Sequence, residues 1–480
     1  TRVNSSGLVE TVELLGSEVI VCGDFSCADP NAVWYRGTGW TIGSGVASCN
    51  SASSTELYQS SSVSGKTYKI TYTVTSYTSG NIAARAGNTT GIFRNSVGTF
   101  TDYVVASGGT QLGFFNSGGF VGSIDNISVK ESTKNNLARV DYDGTASSLL
   151  VEPERTNLIT YSEAFDNADW IKSATSVTSG FTSPDGTANA YKLVEDTATS
   201  GHSIYRSQSG FTSGADYIHS FYVKASERYK VKIKDASDGT RFGAYNLTTG
   251  VLIDEGSNSI GGTTIEALSN GWYRLTLLCN QATTSRYSNI NLLPDDYVAG
   301  DSNSYTGDGT SGLYIWGGSL ELGSYATSYI PTDGGTVTRV QDQYSKTGIS
   351  NLINSEEGVL FVEFYAESDS TDKWITLSDG TTTNRVIVYI QANNTLRVFV
   401  QNSSGGQADF GVSITLGQFN KVAFKYKEND FALWLNGVEV ATDSSGGVPV
   451  GLDRLNFSAE SGTYNYFFGK VKQLQVFKTA

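Results

Sequence analysis

Residues 312–340 read GLYIWGGSLELGSYATSYIPTDGGTVTRV, and the fold is decided there. Leu313 and Ile315 alternate with Tyr314 and Trp316, the period of a half-buried strand whose side chains point to opposite faces in turn. A second extended run stops at Tyr329-Ile330-Pro331, because proline lacks the N–H that a sheet ladder needs. The stretch is a strand, a turn-rich segment and an exit from a domain.

The rest of the chain reads the same way. With 480 residues, about two to four domains are expected. Fifty-three Gly, 27 Tyr and 22 Phe favour strands and turns. No window carries a sustained helical period with caps, so the chain reads as all-β. In Lys421–Lys427, Val422, Phe424 and Tyr426 take one face while three Lys and Ala423 take the other. Phe431–Val440 is a strand, an Asn436-Gly437 turn and a second strand, a strong hairpin signal.

Several function classes are disfavoured. No run of 18 apolar residues occurs, so no membrane insertion is expected. The first residues lack a basic segment followed by an apolar one, so no signal peptide is visible; Thr1 and the absence of Met suggest a processed piece of something longer. A net charge of −14 argues against nucleic acid. Of four Cys, three (Cys22, Cys27 and Cys49) fall early, where one pair could bridge and one would remain. Cys279 reads as a small buried apolar residue, and no zinc-like spacing occurs. Only His202 and His219 are available as imidazoles, and no HExxH, GxSxG or GxxxxGK[ST] motif is present, so the chain reads as not an enzyme.

Three blocks resemble modular bacteriophage tail and virion-surface proteins. Residues 1–10 (TRVNSSGLVE), 150–163 (LVEPERTNLITYSE) and 312–340 are similar to segments that frame a carbohydrate-binding-module-like β-sandwich. Leu137–Asp143, which normally follows the first block closely, lies about 120 residues later here, so the intervening residues look like an insertion. Within it, Gly23-Asp24-Phe25, Trp40, Gly65–Tyr68 and Ile124–Val129 resemble xylan- and glucan-binding modules. The hairpin at 431–440 and Phe467–Phe477 resemble laminin-G and concanavalin-A-like sandwiches. The resemblance implies three tandem β-sandwich (jelly-roll) domains, the first inserted into the N-terminal segment of the second. The expected boundaries are 1–13 (belonging with the second module), 14–132, 133–344 and 345–480.

The resemblance also implies a structural calcium shared by Asp24 and Asp125, against the plainer reading that Asp125 anchors a turn. Calcium takes six to eight oxygens, so carbonyls or water must complete such a site. Flat rings suit sugar faces, which makes Trp34, Tyr35, Trp374 and Trp434 the candidate carbohydrate-binding residues. Trp34 and Tyr35 cluster near two glycines. Trp434 is out of phase with Phe431, Leu433 and Leu435, so it either lines the opposite face or packs under a loop. Trp40 falls where the family keeps a core tryptophan, and Trp272 and Trp316 read as core.

The expectation is a virion-surface protein, a tail fibre or a head fibre or decoration subunit, presenting lectin-like domains to host glycans. It would be assembled in the host cytoplasm and act extracellularly, with other virion proteins as partners and a homotrimer as the first-guess oligomer. The alternatives are a structural spacer and the non-catalytic part of a secreted polysaccharide-degrading enzyme.

Overall fold

A computed structural model of the chain describes all residues except 52, 136, 236–239, 258–260, 281–282 and 368–370. The described chain is almost wholly antiparallel β; its helical elements are the turns Pro30–Val33 and Ser269–Gly271. Contacts divide it into two compact units, Val12–Leu137 and Thr1–Thr11 with Ala138–Ala480.

Val12–Leu137 is one nine-stranded sheet folded over its own core. Two long strands, Thr67–Ala86 and Gln111–Thr133, pair antiparallel and carry the bend. Their register slips between Ser117 and Val121, beside Gly80, Gly118 and Gly119 at positive φ. A Cβ on Gly80 would lie 2.3 Å from the Phe120 nitrogen, so the bend needs glycine. Trp40, Tyr72, Phe114 and Phe120 fill the core. Leu14–Glu18 pairs with the end of the second long strand, which brings the unit's two ends together. The disulfide joins Cys22 to Cys27, and Cys49 and Cys279 are buried thiols.

The other unit holds two sandwiches. In the middle one, a sheet containing Tyr217–Lys224, Trp272–Cys279 and Gly312–Leu322 faces one containing Thr199–Ser209, Lys230–Asp235 and Ser285–Leu292. Trp272 and Trp316 are buried, packing with Tyr222 and Tyr329. In the C-terminal one, seven strands face six. Glu357–Tyr365 and Phe419–Lys427 alternate buried and less buried residues along their length, and Val422, Phe424 and Tyr426 point inward. Asn436 and Gly437 both take positive φ, as the hairpin turn requires.

One hairpin departs from the expected boundaries. Arg139–Asp143 and Ala146–Val151, placed with the middle module by their wording, add to the C-terminal sandwich, where Leu149–Val151 pairs with Gly469–Val471. Strand partners so distant in sequence leave no local signal.

A buried ionic cluster explains that placement. Arg139 donates to Glu152 at 2.7 Å, to Ser328 Oγ at 2.8 Å and to Asp342. Glu152 also accepts from the Ser328 N–H at 2.7 Å and pairs with Arg339 at 3.0 Å. Burial works against its charge, but Arg339, Arg139 and Ser328 hold the Glu152 carboxyl well below the usual carboxylate range. Nearby, fully buried Asn157 donates to Gly318 O and Ile330 O and accepts from Ile159 N and Leu320 N, using all of its amide capacity. The block residues of 150–163 and 312–340 are therefore the parts of one buried polar lock.

Removing the cation leaves two buried carboxylates short of a partner. Arg139→Ala should destabilise this unit by about 3–5 kcal/mol in denaturant unfolding; a loss below about 1 kcal/mol would contradict the lock. Glu163 gives a pH signature. It accepts from Tyr329 OH and Asn189 Nδ2, each at 3.0 Å, and burial raises its pKa from 4.5 to about 7. The folded state holds that proton more tightly, so its contribution is complete below pH about 4.5 and is lost as pH rises through about 7. Glu163→Gln should flatten stability across that window; an unchanged pH profile would show that Glu163 does not titrate there.

Candidate functional site

The six-stranded sheet of the C-terminal sandwich turns alternate side chains outward. Trp374, Tyr389 and Arg397 occupy one cross-strand row on that face, and Arg385 and Gln401 a parallel one. Ile375, Val386, Val388 and Val398, one residue out of phase, enter the core. The segment Phe457–Tyr466 lies along this face, tied by Thr376 Oγ1 to Ser458 O at 2.8 Å and Asn456 Nδ2 to Glu460 O at 2.8 Å.

The result is a cluster of rings with polar edges. The Trp374 ring lies 5.3 Å from Tyr389 and 6.1 Å from Tyr464, with the Arg385 guanidinium 5.8 Å from its centroid. Arg385 is held by Glu460 at 2.9 Å and by Gln401 Oε1 at 2.8 Å, and Tyr464 OH donates to Glu460 at 2.9 Å. Trp374 is half-buried, and its indole N–H has no hydrogen-bond partner among the described residues. Burial raises the Tyr389 and Tyr464 hydroxyls, so both stay protonated donors. Each guanidinium on this face is matched by a carboxylate, Arg385 by Glu460 and Arg397 by Asp409. Such a surface offers apolar ring area, donors and acceptors, and little net charge.

The unit Val12–Leu137 carries a comparable outer face. Tyr35, 56% exposed, stacks on Tyr58 at 4.6 Å. Tyr58 is paired with Gly113 and Gly113 with Arg85, so a position without a side chain separates ring from guanidinium. Arg85 binds Glu56 at 2.6 Å and lies 5.4 Å from the Phe115 ring, and Phe93 stands 6.4 Å beyond Phe115.

The four candidate rings separate. Trp374 and Tyr35 sit in these clusters. Trp34 is corrected: only 2% exposed, it donates its indole N–H to Cys22 O at 3.0 Å and packs on Phe25, so it is core. Its neighbour Tyr35 points out because extended residues alternate faces. Trp434 is half-buried on the face opposite Phe431 and Leu433, in register with Ala423 and Glu439, and no ring cluster surrounds it among the described residues. Sequence reading missed Tyr389, Tyr464, Tyr58, Phe115 and Phe93. For Tyr389 the signal was present, since it breaks phase with Val386, Val388 and Ile390.

Asp24 and Asp125 flank touching segments: Ile127 N donates to Gly23 O at 2.9 Å. Asp24 is fully exposed and accepts from Ser26 Oγ at 2.6 Å and Ser26 N, which lowers its pKa; Asp125 accepts from Asn126 N at 2.6 Å. Both carboxylates anchor their own turns. No third His, Cys or acidic side chain joins them in a metal-ligating group among the described residues. A cleft of 580 Å³ in the larger unit is lined by Asp141, Glu266, Arg274, Tyr325, Tyr365 and Lys470, among others. Lys470 there is paired with Asp141 at 2.7 Å.

Residues 342–480 match the Concanavalin A-like lectin/glucanases superfamily, in agreement with the sandwich they form. Among solved structures the chain is similar to CBM40 of the Ruminococcus gnavus IT-sialidase bound to α2,3-sialyllactose. That likeness has 17% identity over 26% of this chain and 77% of that one, with a TM-score of 0.24. It is also similar to domains LG4-5 of the mouse laminin α1 chain, at 11% identity over 64% and 92%, with a TM-score of 0.22. No curated protein matches the chain.

The two faces make different demands on Trp374 and Trp34. Trp34→Ala should cost about 3–5 kcal/mol of stability, the range for a core aromatic. Trp374→Ala should cost clearly less, because Trp374 is only half-buried. Equal losses in thermal or denaturant unfolding would make Trp374 a core residue.

Proposed function

We propose that the protein is a non-catalytic glycan-binding protein of a bacteriophage virion surface, with the Trp374 face as its principal sugar site. The carrying observation is the grouping of Trp374, Tyr389 and Tyr464 around the Arg385–Glu460 pair, on residues that match a lectin and glucanase superfamily. Sugar C–H faces pack on rings while hydroxyls exchange hydrogen bonds with polar groups at the edge. The virion role is supported by the resemblance of residues 1–10, 150–163 and 312–340 to phage tail and virion-surface proteins. Weak single sites fit such a role, since many copies on one particle raise the effective affinity by orders of magnitude. Trimeric assembly with other virion proteins belongs to the same reading, as does action outside the cell.

The test is a glycan array probed with the full chain, followed by titration of the best ligand. Trp374→Ala should weaken binding by about 1–3 kcal/mol, a range borrowed from base–aromatic stacking. Trp434→Ala, whose ring has no ring partners among the described residues, should weaken it by less. A folded wild-type protein that binds no glycan would favour the structural-spacer reading.

A structural calcium at Asp24 and Asp125 is part of the proposal and would need carbonyl and water oxygens to complete it. Ion binding to the folded state alone is worth about 2.7 kcal/mol at a hundredfold excess over Kd. Chelator should then lower the melting temperature of the Val12–Leu137 unit. An unchanged melting curve would leave both residues as turn anchors only.

A further inference from the structure

The middle sandwich contains a buried group of three ligating side chains that the glycan reading does not use. His219 lies on Tyr217–Lys224 and Cys279 ends Trp272–Cys279, neighbouring strands of one sheet, while Asp235 ends Lys230–Asp235 in the facing sheet. His219 is 1% exposed, and Asp235 and Cys279 are 0% exposed. One ligand atom from each lies within 4.8 Å of the other two.

The imidazole is aimed at this group. Its Nδ1 is hydrogen-bonded with Ser288 Oγ at 3.1 Å, which sets the ring and turns Nε2 toward Asp235. Buried Nε2 has no hydrogen-bond partner among the described residues, a costly state for a polar atom in a dry interior. Its distance to Asp235 Oδ2 is 3.7 Å, too long for a hydrogen bond. That spacing suits two ligands of one ion: atoms about 2.0–2.3 Å from a tetrahedral zinc lie about 3.3–3.8 Å from each other. The other carboxylate oxygen accepts from Tyr287 N at 3.1 Å, which fixes the plane of the group. Arg286 Nε lies 3.7 Å from the same Oδ2.

We propose that His219 Nε2, Asp235 and Cys279 Sγ bind a zinc-type divalent ion that staples the two sheets, with water as the fourth ligand. The Cys279 thiol gives its proton to solvent as the S–metal bond forms, and no redox change occurs. Imidazole with thiolate selects zinc or cobalt over calcium, which takes oxygen ligands. The Ser288 contact is the outer partner that orients a ligating histidine.

The full chain should be loaded with Zn²⁺, freed of excess by gel filtration and assayed for metal, then reloaded with Co²⁺ for absorption spectroscopy. Retention of one ion per chain is expected, with a thiolate-to-cobalt charge-transfer band. The band should survive Cys49→Ser, which removes the other cysteine outside the disulfide, and vanish in Cys279→Ser. Wild-type protein that retains no metal would overturn the proposal, and needs no variant to fold. A band that persists in Cys279→Ser would overturn it as well.

Discussion

A buried arginine, Arg139, holds the larger unit together. Its guanidinium reaches Glu152, Ser328 and Asp342, residues separated by most of the length of that unit. Through Glu152 it is coupled to Arg339, and through the backbone of residue 152 to Asp342 again, at 2.8 Å. Buried ion pairs of this kind add little net stability over well-packed apolar residues, but they are expensive to half-remove. The cluster fixes one arrangement of the chain among many. It ties the start and end of the middle sandwich to the hairpin that completes the C-terminal sheet.

That role gives the most distinctive wording in the sequence a structural purpose. Glu152, Asn157, Ser328 and Arg339 are charged or polar residues of the kind that mark active sites, yet Glu152 and Asn157 are buried, Ser328 and Arg339 are half-buried, and all four bond to other protein groups. The strand content was legible because sandwich strands alternate, and Val422, Phe424 and Tyr426 announce their buried face. The Asn436-Gly437 turn was legible because both positions need positive φ. The Arg139–Val151 hairpin was not, since its partner Gly469–Phe477 is set by long-range pairing alone. Pairing among Cys22, Cys27 and Cys49 was open in the sequence, and folding settled it by burying Cys49 against Asn116.

The candidate site was half legible. Strand parity puts Trp374 outside and would have added Tyr389, its cross-strand partner, had the pairing been known. Tyr464 comes from a loop nearly a hundred residues away, and only the fold places it against Trp374. Trp34 misled because a tryptophan beside glycines reads equally well as a platform or a plug. The disulfide-bracketed turn and Phe25 make it the plug. Both outer faces pair their arginines with carboxylates, so the surface that remains is apolar ring and hydroxyl edge, a chemistry matched to uncharged polyols.

The central claim is that sugars lie on the Trp374 face. Saturation-transfer NMR tests it most directly, with aromatic protons of the intact protein irradiated in the presence of a bound oligosaccharide. The account predicts strong transfer to the sugar's ring C–H protons, lost in Trp374→Ala and kept in Trp434→Ala. Transfer of equal strength in a folded Trp374→Ala variant would contradict it.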